Sequence, residues 1–206
     1  MASKEPNPWN ARYDSEEYYY GVEPNDFLRE SVGSIPPGGS VLCLAEGEGR
    51  NAVYLASLGF RVVAVDGSSV GLEKLKRLAE EKGVSVETKV ADLAQYEIKP
   101  NTYDGIVSIW CHLPVELRKK VHRDSQDGLR PGGVFIHESY HPRQLEYKTG
   151  GPPTADLMLT ADVLADELRG LHFESLREID REIHEGKGHR GMSAVVQAVA
   201  RKGVVS

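Results

Sequence analysis

Two glycines and an acid are spaced as a nucleotide-binding unit requires. Gly47 and Gly49 directly follow an apolar run that begins at Val41, and apolar residues at helical spacing come next. A second apolar run then ends at Asp66. Glycines let the backbone approach a ligand, and the N-terminus of a helix favours negative charge. Because a carboxylate at the end of the second strand can accept both ribose hydroxyls, this βαβ pattern predicts a site for an adenosine-containing cofactor.

A second acid follows the third predicted strand. The run Val84–Val90 ends in Ala91-Asp92-Leu93, so that Asp92 is followed by an apolar residue. A carboxylate there can accept a bond from an adenine amino group while the next side chain covers the ring. Gly47-x-Gly49-x-x-Ala52 also fits the dinucleotide pattern, so a nicotinamide cofactor remains an alternative. No tyrosine has a lysine four positions further on, which is the pair that a short dehydrogenase usually shows.

Alternating strands and helices must position these residues. Further strands are predicted at Gly105–Trp110, Val134–His137, Ile179–Glu185 and Ala194–Ala200, the last two joined by the turn Gly186–Gly188. Strands that alternate with helices and end in a hairpin predict an α/β fold with a mostly parallel sheet and one antiparallel strand. A length of 206 residues suits one such domain.

Composition narrows the function classes. The net charge of −6 argues against nucleic acid as a partner, because phosphate binding needs clustered Lys and Arg. No apolar stretch approaches the roughly 20 residues of a membrane span, and the N-terminus has no secretory h-region. The only two cysteines, Cys43 and Cys111, fall in or beside predicted strands, which disfavours a disulfide framework. We expect a reduced, cytoplasmic protein without membrane or nucleic-acid partners.

Several histidines and acids could suggest a metal site, chiefly His137, His141, His184 and His189 with Glu138 and Glu185. Their spacings match neither the helical zinc motif nor a zinc finger. We therefore expect no metal.

Five segments together resemble the successive motifs of class I S-adenosylmethionine-dependent methyltransferases: VLCLAEGEGRN, VVAVDGSS, VADL, YDGIVSIWCHLP and LRPGGVFI. The similarity is greatest to the small tellurite-resistance-type branch, and the head WNARYDSEEYYYGVEPNDFL and tail EIHEGKGHRGMSAVVQAVARK resemble a bacterial-type subgroup of it. The resemblance implies S-adenosylmethionine as cofactor and a Rossmann-like fold with a seven-stranded sheet. It also implies one domain, residues 1–206, with an aromatic head or lid (1–33) and a core (34–206).

The resemblance implies which residues hold the adenosine half of the cofactor. Asp66 would accept the ribose hydroxyls, with Gly67 and Ser68 near the adenine. Asp92 would accept the adenine amino group, and Leu93 would cover one face of the ring.

For the methionine half, the resemblance places Gly47 and Gly49 beside the methionine and ribose. Ile109 and Trp110, at the end of the fourth strand, would lie near the sulfonium, and Tyr20 would form a lid over the methionine end.

One departure from the family pattern affects the methionine ammonium. Many members have an acid and a glycine where this chain has Cys43 and Ala45. Glu46 is then the candidate for the ammonium contact.

The methyl acceptor is predicted to be a small molecule. The fourth strand ends in Ile109-Trp110-Cys111-His112 rather than in the Asn-Pro-Pro-Tyr or Asp-Pro-Pro-Tyr of adenine or glutamine methylation, and no inserted recognition domain is present. The resemblance implies a thiol, selenium or tellurium nucleophile. If an acceptor needs a general base, the candidates are His112 and Glu138. A cofactor-binding sensor without turnover and a nicotinamide-dependent oxidoreductase are the alternative functions.

Overall fold

The computed structural model describes residues 7–204, so the first six residues of the predicted head and the last two of the predicted core lie outside the described residues. One seven-stranded sheet has the order β3-β2-β1-β4-β5-β7-β6. Its strands are β1 Ser40–Leu44, β2 Arg61–Asp66, β3 Glu87–Val90, β4 Tyr103–Ile109, β5 Leu129–Tyr140, β6 Leu171–Glu185 and β7 His189–Lys202. The first five pair in parallel, and β7 is antiparallel to both β5 and β6. The predicted fold class is therefore confirmed.

Helices cover both faces of the sheet. The α-helices are α1 Pro8–Tyr13, α2 Asp26–Ser31, α3 Arg50–Ser57, α4 Ser69–Glu81, α5 Val115–Gly128, α6 Gln144–Tyr147 and α7 Ala161–Glu167. Successive side chains of β1 point to opposite faces of the sheet. Val41 therefore packs with α3 and α4, while Leu42 packs with α5 and α7. Apolar side chains buried on both faces explain why β1 is a continuous apolar run.

The closing strands are longer than predicted. The structure extends the hairpin back to Leu171 and begins its second strand at His189, and the predicted turn at 186–188 is confirmed. The outer strand β6 is half-exposed and rich in charged residues, so hydrophobic patterning does not reveal its first half. The fifth strand also starts earlier than predicted, at Leu129. It includes Pro131 and the two glycines after it, and its register with β4 shifts between Tyr103 and Gly105.

The carboxyl ends of β1 and β4 meet where the strand order reverses. β1 pairs with β2 on one side and with β4 on the other, so the loops that leave β1 and β4 diverge above the sheet. Such a crevice is where open α/β sheets bind ligands. Gly49, with a φ of 93°, precedes α3 there, and a Cβ at this position would collide with the side chain of Leu75 in α4. Glycine at 49 thus allows both the left-handed turn and the close approach of α4.

Candidate functional site

A cavity of about 980 Å³ lies at this edge of the sheet, at the upper end of the roughly 300–1,000 Å³ typical of small-molecule sites. The predicted site residues that line it are Tyr20, Glu46, Asp66, Gly67, Asp92, Leu93, Ile109, Trp110 and His112. Those that do not line it are Gly47, Gly49, Ser68 and Glu138. The structure thus gathers residues from the ends of four strands and from the head into one chamber.

Asp66 is a buried carboxylate that lines the cavity and also accepts hydrogen bonds from two backbone amides of the surrounding loops. Its Oδ2 accepts a hydrogen bond from the amide of Gly47 at 2.8 Å, and its Oδ1 accepts one from the amide of Ser68 at 2.7 Å. Burial raises the pKa of Asp66, which these two amides partly oppose. Each carboxylate oxygen keeps a second acceptor position for a ligand hydroxyl.

The neighbouring residues divide into ligand-facing and structural groups. Gly67 is exposed to the cavity, and a Cβ there would lie 2.8 Å from the side-chain nitrogen, Nδ2, of Asn7 in the head. Ser68 is fully buried and does not line the cavity, and its hydroxyl caps α4 through the amide of Gly71 and donates to Asn10. A position near the adenine therefore fits Gly67 better than Ser68.

Asp92 and Leu93 form the wall beyond β3. Asp92 is exposed, and its Oδ1 accepts from the amide of Ala94 at 2.9 Å. Leu93 is 8% exposed and joins the core on the α5 face of the sheet. One carboxylate beside one apolar side chain suits a planar ring that carries an amino group.

The glycine turn serves the protein's own packing. A Cβ at Gly47 would lie 2.6 Å from the hydroxyl of Tyr13, and a Cβ at Gly49 would collide with Leu75. Neither glycine is among the residues that line the cavity, and the cofactor contacts that the resemblance implies for them stay a prediction. The absence of a side chain at both positions lets the head and α4 pack closely against the turn.

Glu46 faces the cavity at the start of α3. Its Oε1 accepts the amide hydrogens of Asn51 and Ala52, at 3.0 and 2.7 Å, and so caps the helix. Burial raises the pKa of Glu46 to about 7, against these two hydrogen bonds and the charge of Arg50. A cationic ligand group would stabilise its ionised form.

Trp110 marks the far side of the crevice, directly after β4. Its φ of 57° is unusual for a bulky residue, and its amide donates to the carbonyl of Glu138 at 2.9 Å. Its indole Nε1 donates to Glu185 at 2.7 Å. Its ring stacks on that of His189, which stacks in turn on Tyr20, with 4.7 Å between centroids in both pairs. The strained backbone therefore holds an aromatic wall that joins β4, the hairpin turn and the head.

The head packs onto the core through one buried ion pair. Lys74 of α4 pairs with Glu48, and its ammonium donates to the carbonyls of Ser15 and Glu17 at 2.9 and 2.7 Å. Glu48 also accepts from the backbone amide of Tyr19 at 2.8 Å. The residues of the head that line the cavity are Asn7, Trp9, Arg12, Tyr13, Tyr19 and Tyr20.

The two candidate bases have different surroundings. His112 lines the cavity, but its Nε2 accepts the backbone amide of Tyr140 at 3.3 Å, and burial lowers its pKa to about 4. Glu138 is fully buried outside the cavity, where Asn25, Arg181 and Gln197 all donate to its carboxylate. The geometry thus leaves Glu138 in a structural network and His112 as a weak base.

Sequence reasoning missed two groups of cavity residues. Arg50 and Asn51 begin α3 next to the glycine turn. A polar pair at that position could have been identified from the sequence as lining the cavity. His189, Asn7 and Arg12 come from a hairpin turn and from the head, whose positions no local pattern reveals.

Three further properties concern residues 7–204 as a whole. No three His, Cys, Asp or Glu side chains among them are grouped as ligands of a metal would be. No helix in this part of the chain is long and apolar enough to cross a membrane. Cys43 and Cys111 are both buried and free.

Comparison with known proteins identifies the domain. Residues 41–133 match the family model described as a methyltransferase domain. The chain is 28% identical over 111 residues to "Uncharacterized methyltransferase YbaJ" of Bacillus subtilis (strain 168), which covers 52% of this chain and 44% of that protein. It is 30% identical over 98 residues to "Probable S-adenosyl-L-methionine-dependent methyltransferase TehB" of Haemophilus influenzae (strain 10810), which covers 47% of this chain and 34% of that protein. The matches thus span less than half the length of these relatives.

The fold is also shared with solved structures. One of them concerns the conversion of a disulfide bond into a thioacetal group during echinomycin biosynthesis. It superposes with a TM-score of 0.78 over 96% of this chain and 92% of that chain, at 19% sequence identity. Similarity at this identity establishes the architecture, while chemistry has to be argued from the site.

Proposed function

We propose that this chain is a class I, TehB-like S-adenosylmethionine-dependent methyltransferase and that it methylates a small, soft nucleophile such as a thiol or a reduced selenium or tellurium species. The methyltransferase domain and the similarity to TehB support this proposal. One observation carries the proposal. Asp66 and Asp92 follow successive strands and line the same cavity as Trp110, which lies across the crevice at the end of β4.

The cavity fits S-adenosylmethionine. Asp66 offers a buried carboxylate for the ribose, and Asp92 with Leu93 suits the adenine. Arg50 has a guanidinium nitrogen, Nη1, that is buried without a hydrogen-bond partner among residues 7–204, as expected where a ligand oxygen completes the site. A nicotinamide cofactor receives no comparable support, because nothing in the site singles out its second nucleotide.

The far part of the cavity supports a compact acceptor that needs no base. Its walls include Trp110, His112 and His189 together with the chain at residues 150–153. Burial lowers the pKa of His189 to about 3, although the carboxylate of Glu185 opposes the shift. Both histidines are therefore neutral and weakly basic near pH 7. Amines and hydroxyls must lose a proton to react, whereas thiolates and selenolates are already deprotonated and need no base.

The protein's contribution to such a reaction is alignment and the exclusion of water. When bound, S-adenosylmethionine supplies an activated methyl carbon, which the acceptor's lone pair attacks in line as the bond to the sulfonium breaks. The aromatic wall of Trp110, His189 and Tyr20 would shield this position, and the head would cover it. Holding two reactants in line within a dry site removes much of the entropic cost of the reaction.

Two measurements test the proposed function. Isothermal titration of the purified chain with S-adenosylmethionine and with NAD should show binding of the first only. A screen of small thiols, selenium and tellurium species, with detection of the methylated product by mass spectrometry, should then reveal turnover. Binding without turnover on any acceptor would support a sensor instead, and binding of NAD alone would support an oxidoreductase.

Replacing His112 with alanine should leave single-turnover methylation of a thiol or selenium acceptor within about tenfold of the wild-type rate, since a general base contributes roughly 10²–10⁴. Its Nε2 already accepts the amide of Tyr140, and its pKa near 4 makes it a poor base at neutral pH. A loss of a hundredfold or more in a folded variant would indicate base catalysis on an oxygen or nitrogen acceptor instead.

The head should gain protection from hydrogen exchange when S-adenosylmethionine binds. Residues 9–21 include cavity-lining side chains and dock through Lys74 and Glu48, so a ligand beneath them adds contacts that only the closed position makes. Amides of the central strand β1 serve as the internal control. Equal exchange in residues 9–21 with and without the cofactor would make the head a fixed part of the domain, not a lid.

A further inference from the structure

His189 is a buried histidine with one ring nitrogen left for a ligand. It is the first residue of β7, it lines the cavity, and only 6% of its surface is exposed. Its Nδ1 lies 2.6 Å from the hydroxyl oxygen of Tyr140, within hydrogen-bonding distance. Its Nε2 has no hydrogen-bond partner among residues 7–204. Since buried polar atoms are normally paired, a group bound in the cavity is the natural partner of this nitrogen.

The hydroxyl of Tyr140 decides which nitrogen of His189 carries the proton. Tyr140 is fully buried, and burial raises its pKa, so the hydroxyl keeps its own proton. The hydrogen-bond partner of this hydroxyl within the described part of the chain is Nδ1 of His189, and a buried donor left unpaired would be destabilising. Tyr140 therefore donates to Nδ1. The proton of the neutral imidazole then lies on Nε2, which becomes a donor.

Two aromatic neighbours hold the ring of His189 in place. It stacks on Tyr20 of the head and on Trp110 at the end of β4, with 4.7 Å between centroids in each pair. Gly188 precedes it, and a Cβ there would lie 2.1 Å from the ring of Tyr20, so glycine is needed for the head to pack onto this turn. The Nε2–H group thus has a defined position beside Trp110, where the reactive end of the cofactor is proposed to lie.

The charges around His189 favour an anionic partner. Burial lowers the pKa of His189 to about 3, the charges of Arg50 and Arg12 act in the same direction, and that of Glu185 opposes them. The ring is therefore a neutral donor near pH 7, in a cavity that both arginines also line. Glu185 is engaged by Arg50 and by the indole of Trp110, at 2.6 and 2.7 Å. A donor close to two cations suits an anionic atom, because hydrogen bonds to charged groups are the stronger ones.

We propose that His189, with its proton held on Nε2 by Tyr140, donates a hydrogen bond to the ionised methyl acceptor and so makes the site select a thiolate or selenolate over a neutral nucleophile. The inference rests on the proposed function, because it names the residue that recognises the acceptor of that reaction. Methylation removes the negative charge of the acceptor, so the hydrogen bond is strongest before the methyl group is transferred. His189 therefore contributes to binding of the acceptor and not to the rate of transfer.

The binding test uses thiophenol, ionised at mildly alkaline pH, and its methylated product thioanisole. Each is titrated calorimetrically into protein saturated with S-adenosylhomocysteine, which has no methyl group to give, so affinity is measured without turnover. The wild type should bind thiophenolate at least about tenfold more tightly than thioanisole, a ratio that corresponds to about 1.4 kcal/mol. His189→Phe keeps an aromatic ring between Tyr20 and Trp110 but has no donor, and it should abolish this preference.

Control variants separate a lost hydrogen bond from a damaged fold. The double variant His189→Phe, Tyr140→Phe leaves no buried hydroxyl without a partner and should lose the same preference. His184→Phe changes an exposed histidine of the same hairpin and should keep the preference. All of these proteins should bind S-adenosylhomocysteine with the affinity of the wild type.

Two further readouts address the tautomer and the rate. The nitrogen chemical shifts of labelled histidine should place the proton of His189 on Nε2 in the wild type, and Tyr140→Phe should allow the other tautomer to appear. In single-turnover methylation of thiophenol, His189→Phe should raise the KM for the acceptor by at least about tenfold. The rate at saturating acceptor should fall by less than the roughly 10²–10⁴ that a general base contributes.

Other outcomes would overturn the role of His189. These are a wild type that prefers neither ligand, equal losses of both ligands in His189→Phe, and a wild-type proton on Nδ1. A rate at saturating thiophenol that is at least about a hundredfold lower in His189→Phe, at unchanged affinity, would make His189 a general base instead. Absence of S-adenosylmethionine binding to the wild type would overturn the proposed function itself.

Discussion

Replacing Asp66 with alanine should lower the affinity for S-adenosylmethionine by at least about tenfold, since two charge-assisted hydrogen bonds of about 1.5–3 kcal/mol each would be lost. The carboxylate lines the cavity at the end of β2, where the ribose is proposed to lie. Titration calorimetry gives the affinity, and circular dichroism shows whether the fold is intact.

The structure adds a second consequence, because Asp66 also accepts the amides of Gly47 and Ser68. Asp66→Ala leaves both amide donors without their acceptor, so a loss of stability will accompany the loss of affinity. Asp66→Asn is the matched control, since its amide oxygen can still accept one backbone hydrogen bond. Unchanged affinity in a folded Asp66→Ala protein would contradict the ribose assignment.

Replacing Glu138 with alanine should lower the free energy of unfolding by about 3–5 kcal/mol, the usual cost of removing one partner from a buried ion pair. Glu138 is fully buried and accepts from Arg181 at 2.8 and 2.9 Å, from Asn25 at 2.5 Å and from Gln197 at 2.6 Å. Without the carboxylate, Arg181 keeps a largely buried charge with weaker compensation. Urea denaturation followed by circular dichroism measures the effect.

Two controls define the cause. In the exposed pair Arg29–Glu23, Glu23→Ala should change stability by less than about 1 kcal/mol. The double variant Glu138→Met, Arg181→Met should recover much of the loss, because it removes both charges together. Where the single variant is folded, its single-turnover rate should stay within about tenfold of wild type. A hundredfold slower rate at unchanged stability would instead make Glu138 a base.

The sequence alone predicted the architecture, which the structure confirms, and brought together the residues proposed to bind the adenosine half of the cofactor. Gly49 follows β1 and Asp66 ends β2, two largely buried strands that appear in the sequence as apolar runs. Asp92 follows the short and mostly exposed strand β3, which the alternation of apolar and polar residues predicted. The carboxyl ends of parallel strands must meet at one edge of a sheet, so the order of these residues along the chain was enough to place them together. Local periodicity and turn chemistry carried that information.

Local patterns gave less information about residues whose surroundings come from distant parts of the chain. Gly47 and Ser68 are predicted ligand contacts by their positions, and only the structure shows that Gly47 also lies against Tyr13 and that Ser68 also caps α4. Glu138 follows the pattern of a strand-end acid, but strand alternation turns it away from the cavity and towards Arg181.

Only the tertiary structure brought the other half of the site together. Arg50 meets Glu185 across 135 positions of the chain, and Trp110 meets the same carboxylate across 75. The rings of Tyr20 and His189 stack only because the head and the closing hairpin fold over the same edge of the sheet. No periodicity records such contacts, since each depends on the register of β6 with β7 and on the docking of the head through Lys74. The sequence therefore determined which strand ends meet at the cavity, while the packing of distant segments decided which side chains surround the part of it beside Trp110.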